Sequence, residues 1–146
     1  MKKTGPLAID ASVFLNAFNP GEAGHETSKE MLARLQANGV PLIAPTLLLP
    51  EIAAAIRRCQ DNPNLARQFA TALAHLPHLT LVPLDQLLAQ QALDIAALYR
   101  LRGSDSVYAA VAQRFACPLV TLDRQQYDRT AAALKTYYPA ELLPEL

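Results

Sequence analysis

This chain is poor in the features that mark a specialised class. It has only two cysteines and three histidines, and its thirteen basic residues balance thirteen acidic ones. Cys59 and Cys117 are far apart in sequence and lack metal-ligand spacing. Both are expected as buried free thiols, with neither a disulfide nor a zinc site. The missing charge excess argues against non-specific nucleic-acid binding through net charge, but leaves room for a local basic patch around an acidic cleft. No apolar run approaches the ~20 residues that span a bilayer. The segment Met1-Lys2-Lys3-Thr4 is basic, yet Leu7-Ala8-Ile9 is cut by Asp10 too early for a signal peptide, so the cytoplasm is the expected compartment. Repeats, low-complexity segments and linkers are also missing.

What is present suits one globular domain, 1–146. The hydrophobic share is 51% and the charged share 18%, in a chain of 146 residues that can bury a real core. Pro6 to Ile9 reads as a central strand with an acid, Asp10, at its carboxyl end. Ser12 would face the same way as Asp10 if the backbone stays extended. Asn19-Pro20-Gly21 signals a turn, and Met31, Leu32 and Leu35 mark a helix from about Ala23 to Asn38, stopped by Gly39. A strand over Val40 to Ala44 follows. The next helix runs to about Gln60, starting near Leu49 with Pro50 in its first turn or near Thr46. Another helix spans Pro63 to about Leu76, a third strand Leu79 to Val82, and a further helix Leu84 to Tyr99. Arg124 to Arg129 reads as a loop or helical turn and Leu134 to Tyr138 as a last strand. The apolar tail, Pro139 to Leu146, is expected to be tied down. Alternating strands and helices predict an α/β fold, with a central parallel sheet of four to five strands flanked by helices.

One stretch organises the rest. Ser104 is a candidate N-cap for a helix whose apolar stripe is Val107, Tyr108, Val111 and Phe115. Pro118 then bars further helix, and Leu119-Val120-Thr121-Leu122 reads as a strand ending at Asp123. A helix over 104–115 rises ~18 Å and a strand over 118–123 returns roughly 20 Å. Asp105 and Asp123 are therefore expected on one edge of the sheet, the edge where open α/β sheets place their sites.

Asp10 and Asp123 end apolar strands, while Glu51 and Asp105 lie in the first turns of helices, so all four carboxylates can converge on that edge. Singly, an acid in a helical first turn is more often structural, favouring the helix dipole. A strand-end acid is harder to dismiss, although it can cap the next helix. Crowded carboxylates raise one another's pKa and demand cations, and oxygen ligands select Mg²⁺ or Mn²⁺. Such ions serve phosphoryl chemistry. A phosphatase with a D-x-D nucleophile is disfavoured, because Ser12 holds the second acid's place. Asp85, Asp94 and Asp128 read as solvated or capping acids, and His75 and His78 as surface residues. Arg100, Arg102 and Arg124 flank the edge and are candidate phosphate contacts. Arg58, past Glu51, could pair with the acidic cluster.

Asp10-Ala11-Ser12 after a strand, Pro50-Glu51-Ile52-Ala53-Ala54-Ala55, Ser104-Asp105-Ser106-Val107-Tyr108-Ala109-Ala110-Val111-Ala112 and Thr121-Leu122-Asp123-Arg124 together resemble PIN-domain ribonucleases. The nearest resemblance is to the VapC-type toxins of toxin–antitoxin pairs, from Ile9 to about Tyr138. It implies a three-layer PIN-like fold and an Mg²⁺- or Mn²⁺-dependent endoribonuclease in which a metal-activated water hydrolyses the phosphodiester. It also implies that Asp10, Glu51, Asp105 and Asp123 are catalytic metal ligands, with Ser12 and Thr121 as positioning hydroxyls. The implied partners are RNA, a second copy of the chain and a cognate antitoxin. Leu47, Leu48, Leu65, Phe69 and Leu73 offer apolar surface for such contacts, or belong to the core. A DNA- or structure-specific nuclease of the same fold, and a silent interaction module, are the alternatives.

Overall fold

The structure, a computed structural model, describes residues 4–146. Leu7–Ile9 form β1, every residue buried, and α1 follows at once over Ala11–Phe18. Next come α2 (His25–Ala37), β2 (Leu42–Pro45), α3 (Leu48–Gln60) and α4 (Pro63–Ala74). β3 (Leu79–Val82), α5 (Gln86–Tyr99), α6 (Gly103–Arg114) and β4 (Leu119–Val120) complete the centre. The chain ends with α7 (Arg124–Thr130), β5 (Thr136–Tyr137), α8 (Pro139–Leu142) and a 3-10 turn over Leu143–Glu145.

The five strands pair in the order β3-β2-β1-β4-β5, and every pairing is parallel. From the middle strand β1 the chain moves outward to β2 and β3, then crosses back to place β4 on the other side of β1. Right-handed crossovers put α1 to α4 on one face and α5 to α7 on the other. The packing agrees: α1 lies against α2 and α3, α3 against α4, and α5 against α6. A sheet covered on both faces explains why β1 and β2 are buried at every residue instead of alternating. Between β1 and β4 the direction of travel reverses, and a crevice opens at the carboxyl ends of those two strands. Ile9 pairs with Val120, and the Asp10 amide donates to the Val120 carbonyl at 2.9 Å. Asp10 thus comes level with the residue that follows β4.

α6 departs from the expected amphipathic helix. Residues from Asp105 to Ala112 are all buried, because α6 runs against β1, β2 and β4 on one side and α5 on the other. Val107, Tyr108 and Val111 fill the sheet-facing core, but Phe115 is 43% exposed and does not extend the stripe. Ala109, Ala110 and Ala112 allow close approach around the rest of the helix. Ser104 is not the N-cap. Arg102 takes that position without a side-chain cap bond, and the Ser106 hydroxyl donates back to the Gly103 carbonyl at 2.6 Å.

Other expectations are revised by local chemistry. The backbone does not stay extended past Asp10, since its carboxylate caps the unforeseen α1. β4 stops at Val120, two residues into the expected strand. α3 begins at Leu48, so Pro50 lies in the first turn, where its missing N–H forfeits no intrahelical bond. Gly39 (φ +64°) closes α2 as expected. Cys59 is exposed, and only Cys117 is buried. Leu48 and Leu73 belong to the core, whereas Phe69 is half-buried and meets Phe18 with ring centroids 4.4 Å apart. The tail packs through α8 against α2, with Leu142 buried. No helix of the described residues is long and apolar enough to cross a membrane.

Because Ala109 is fully buried in α6, Ala109→Leu should lower stability by about 1–3 kcal/mol through overpacking. The same change at the exposed Ala89 of α5 should stay within about 0.5 kcal/mol. Urea unfolding of the two variants checks this; equal midpoints would mean that α6 is not tightly enclosed.

Candidate active site

Asp10 and Asp123 reach the crevice in the same way, each as the N-cap of the helix that leaves the sheet edge. Asp10 Oδ2 accepts from the Ser12 amide at 3.0 Å, and Asp123 Oδ1 from the Gln126 amide at 2.9 Å. Capping occupies one oxygen of each carboxylate and thereby fixes the direction of the other. Asp105 arrives from the other layer, as the third residue of α6, and is buried. Its Oδ2 accepts from Arg102 Nε at 3.0 Å. Arg102 Nη2 donates in turn to Asp123 Oδ2, so one guanidinium joins both acids. Glu51, in the first turn of α3, accepts from the Tyr108 hydroxyl at 2.7 Å. Tyr108 lies one turn past Asp105 on α6, so the two project on the same side.

A second layer of bonds holds the backbone under these acids. Ser12 Oγ accepts from the Leu122 amide at 3.0 Å, and Thr121 Oγ1 accepts from the Asp123 amide at 3.0 Å. Thr121 Oγ1 donates to Gln126 Oε1 at 2.6 Å and lies 3.5 Å from Asp10 Oδ2. Gln126 Nε2 then donates to the Asp105 carbonyl at 3.2 Å. Thr121 and Gln126 are completely buried. The segment after β4 is therefore tied to α1 through Ser12 and to α6 through Gln126.

The electrostatics record the crowding. Burial pushes the Asp10 carboxyl up to about 6, Asp105 and Glu51 add repulsion, and the bonds from Ser12 oppose the shift. Burial also raises Glu51 and Asp105 above the ordinary carboxylate range, against the lowering effect of Tyr108 on Glu51 and of Arg102 on Asp105. Burial first, then Glu51, holds the Tyr108 phenol neutral as a donor. Among the described residues, no three acidic, histidine or cysteine side chains stand together closely enough to hold an ion as they are. The guanidinium between Asp105 and Asp123 already supplies a positive charge there. The donor chemistry nevertheless fits a hard divalent cation, since the crevice presents carboxylates and hydroxyls without imidazole or thiolate. Parallel topology sends His75, His78 and Cys117 to the amino ends of β3 and β4, across the sheet from the acids.

The remaining candidates fall outside this group. Arg124 turns toward Asp128, 3.8 Å away, and is 89% exposed. Arg100 ends α5 with φ +58°, and its carbonyl accepts from the Arg129 guanidinium. Arg58 makes no ion pair among the described residues, while its neighbour Arg57 pairs with Asp61. Asp85 caps α5 by accepting from the Leu88 amide at 2.9 Å, and Asp94 is exposed. Two contributors escape a sequence reading. Tyr108 passes as a core residue, although a buried tyrosine hydroxyl needs a partner. Gln126 is signalled only by its place three residues after an N-capping acid.

The sequence matches the PIN domain family over residues 7–132. No curated protein matches it. Among solved structures, VapC20 of Mycobacterium tuberculosis, described as a toxin that cleaves the sarcin-ricin loop, is similar with a TM-score of 0.70 and 21% identity. That alignment covers 88% of this chain and 95% of that one. FitAcB from Neisseria gonorrhoeae gives 0.69 at 18% identity, covering 93% of this chain and 99% of the other. A DNA-bound VapBC from Salmonella typhimurium gives 0.66 at 13%, with 93% and 99% covered. At such identities the likeness is one of fold.

The Asp10 shift has a defined effect on metal-free stability. Between pH ~4 and ~6 the native state binds a proton at Asp10 that the unfolded chain has lost, so stability falls as pH rises through this window and levels off above it. Asn keeps the cap but carries no charge. In chelator at pH 8, Asp10→Asn should therefore be more stable than the parent by roughly 1–3 kcal/mol, and the gain should vanish near pH 4. Urea midpoints at the two pH values test this. A variant less stable at pH 8 would show that charged Asp10 stabilises the fold.

Proposed function

This chain belongs to the PIN domain family, and on that premise we propose that it is a metal-dependent endoribonuclease, the toxin of a toxin–antitoxin pair. What supports the reading most is the proximity of acids carried by four different elements: Asp105 and Glu51 lie near enough to repel Asp10, and Asp123 near enough to repel Asp105. In this reading the four acids hold Mg²⁺ or Mn²⁺. The bound ion supplies Lewis acidity toward the phosphate and lowers the pKa of water. The chain's own contribution is positioning. The caps restrict the carboxylates of Asp10 and Asp123, the Tyr108 hydroxyl fixes Glu51, Ser12 and Thr121 hold the backbone of Leu122 and Asp123, and Gln126 holds that of Asp105. Arg102, with Arg100 and Arg124 farther out on the rim, is suited to the phosphate backbone of the substrate.

Protein partners, a second copy and an antitoxin in the cytoplasm, are supported by two apolar surfaces. Leu84, Leu87, Leu93 and Leu98 are exposed in or just before α5. A groove of about 300 Å³ between α1, α2 and α4 is lined by Phe14, Phe18, Leu32, Phe69 and Leu73.

The deciding experiment is cleavage of a labelled RNA pool, with matched DNA strands, in Mg²⁺, Mn²⁺ or EDTA, beside Asp105→Asn. Cleavage of RNA that requires metal is the expected result. Second-shell changes at metal sites cost 10–100-fold, so loss of a direct ligand should reduce the rate by about 100-fold or more. Circular dichroism should show the variant folded. Cutting of DNA alone would replace the ribonuclease reading with a DNA nuclease. Metal-independent cleavage, or full activity in Asp105→Asn, would refute the carboxylate–metal site.

A further inference from the structure

Arg102 is misplaced for a purely structural residue. It is the N-cap of α6, where the helix dipole is unfavourable to a cation, and it makes no side-chain cap. Its side chain is 62% exposed, so packing does not hold it. What holds it is the pair of acids. Nε meets Asp105 Oδ2 at 3.0 Å, and Nη2 meets Asp123 Oδ2. The guanidinium thus reaches a residue 21 positions along the chain, and the two carboxylates it joins would otherwise repel each other across the crevice. The fork of a guanidinium reaches two acceptors at once, which a lysine ammonium does not do with the same geometry. While it sits there, one oxygen of each acid is engaged by the guanidinium.

We propose that Arg102 is a resident counter-cation of the cleft, which holds Asp105 and Asp123 in the metal-free protein and is displaced when a divalent cation binds. The inference rests on the metal-dependent reading of the same site and adds its regulation. Two cations compete for one pair of carboxylates, so the metal concentration at which the site fills is set partly by how firmly Arg102 holds on. By linkage, a metal that displaces Arg102 must give up the bonds Arg102 had made. The exposure of the side chain makes the exchange feasible, because the released guanidinium moves into water without disturbing the core.

The test is Mn²⁺ titration by calorimetry of the wild-type protein, Arg102→Gln, Arg102→Lys and Arg124→Gln, with melting temperatures recorded with and without Mn²⁺. Arg102→Gln should bind Mn²⁺ roughly three- to tenfold more tightly, the range expected for losing an exposed, charge-assisted pair of bonds. Without metal it should melt lower than wild type, and its rise in melting temperature on adding Mn²⁺ should be larger. Arg102→Lys should lie between, since an ammonium meets one acid as a point charge. Arg124→Gln removes a rim charge that touches neither acid, and its Mn²⁺ affinity should match wild type within about twofold. A gain in Arg124→Gln equal to that in Arg102→Gln would assign the effect to the general field and overturn the proposal. Equal or weaker binding by Arg102→Gln, with wild type binding Mn²⁺, would overturn the counter-cation and leave the metal-dependent reading intact. Binding of Mn²⁺ by none of the four proteins would overturn both.

Discussion

Burial of carboxylates at the carboxyl edge of a covered sheet, with their mutual repulsion added, is the constraint on which the local structure depends. The fold answers it acid by acid. Asp10 takes the Ser12 amide, Glu51 the Tyr108 hydroxyl, Asp123 the Gln126 amide, and Asp105 shares the Arg102 guanidinium with Asp123. Each donor brings positive potential to its carboxylate, and on Asp10, Glu51 and Asp105 the bonds oppose the upward shift. Together they do not suffice: Asp10, Glu51 and Asp105 remain raised, with burial the leading cause each time. What is left over is a demand for positive charge, which a divalent cation meets more fully than one exposed arginine.

The acids meet because of strand order. With β1 in the middle and β4 beside it, helices leaving the two strands start on opposite faces of the sheet. α6 returns along the second face and brings Asp105 and Tyr108 to the same edge, one turn apart. Glu51 comes from α3 on the first face, so its bond to Tyr108 joins the two helical layers over the end of the sheet. All four acids sit on caps or first turns of helices, and Gln126 binds the segment after β4 to α6. A site built this way holds its side chains more closely than one carried on loops.

Much of this can be read from residues in order. β1, β3 and the helices from Pro63 and Leu84 follow from apolar runs, from Asp85 at a helix start, and from prolines that set boundaries. α1 does not, because Asp10-Ala11-Ser12 fits an extended reading as well as a cap followed by a helix, and its polar Asn16 is buried. α6 misleads for a different reason. Alanine is neutral in an apolar stripe, so a helix enclosed on all sides by virtue of small residues looks amphipathic. The contact of Arg102 with Asp123 lies beyond any local pattern. It depends on the α6–β4 turn-back as well as on a side chain that spans two elements. Likewise Cys59, apolar by type, is exposed because it lies near the end of α3.

An acid at the start of a helix is commonly weighed as either a cap or a ligand, but a cap bond by itself excludes no second role. A carboxylate has two oxygens, and the amide at N2 or N3 uses one. Asp10 and Asp123 stabilise their helices with that oxygen and, by doing so, lose rotational freedom in the other. The cap is thus a form of preorganisation: the same bond that starts α1 or α7 removes rotameric freedom that a cation would otherwise have to freeze. Arg102 stands in the opposite relation to its helix. Its charge is unfavourable to the α6 dipole and is retained by the acids alone, which makes it the most readily exchanged charge in the crevice.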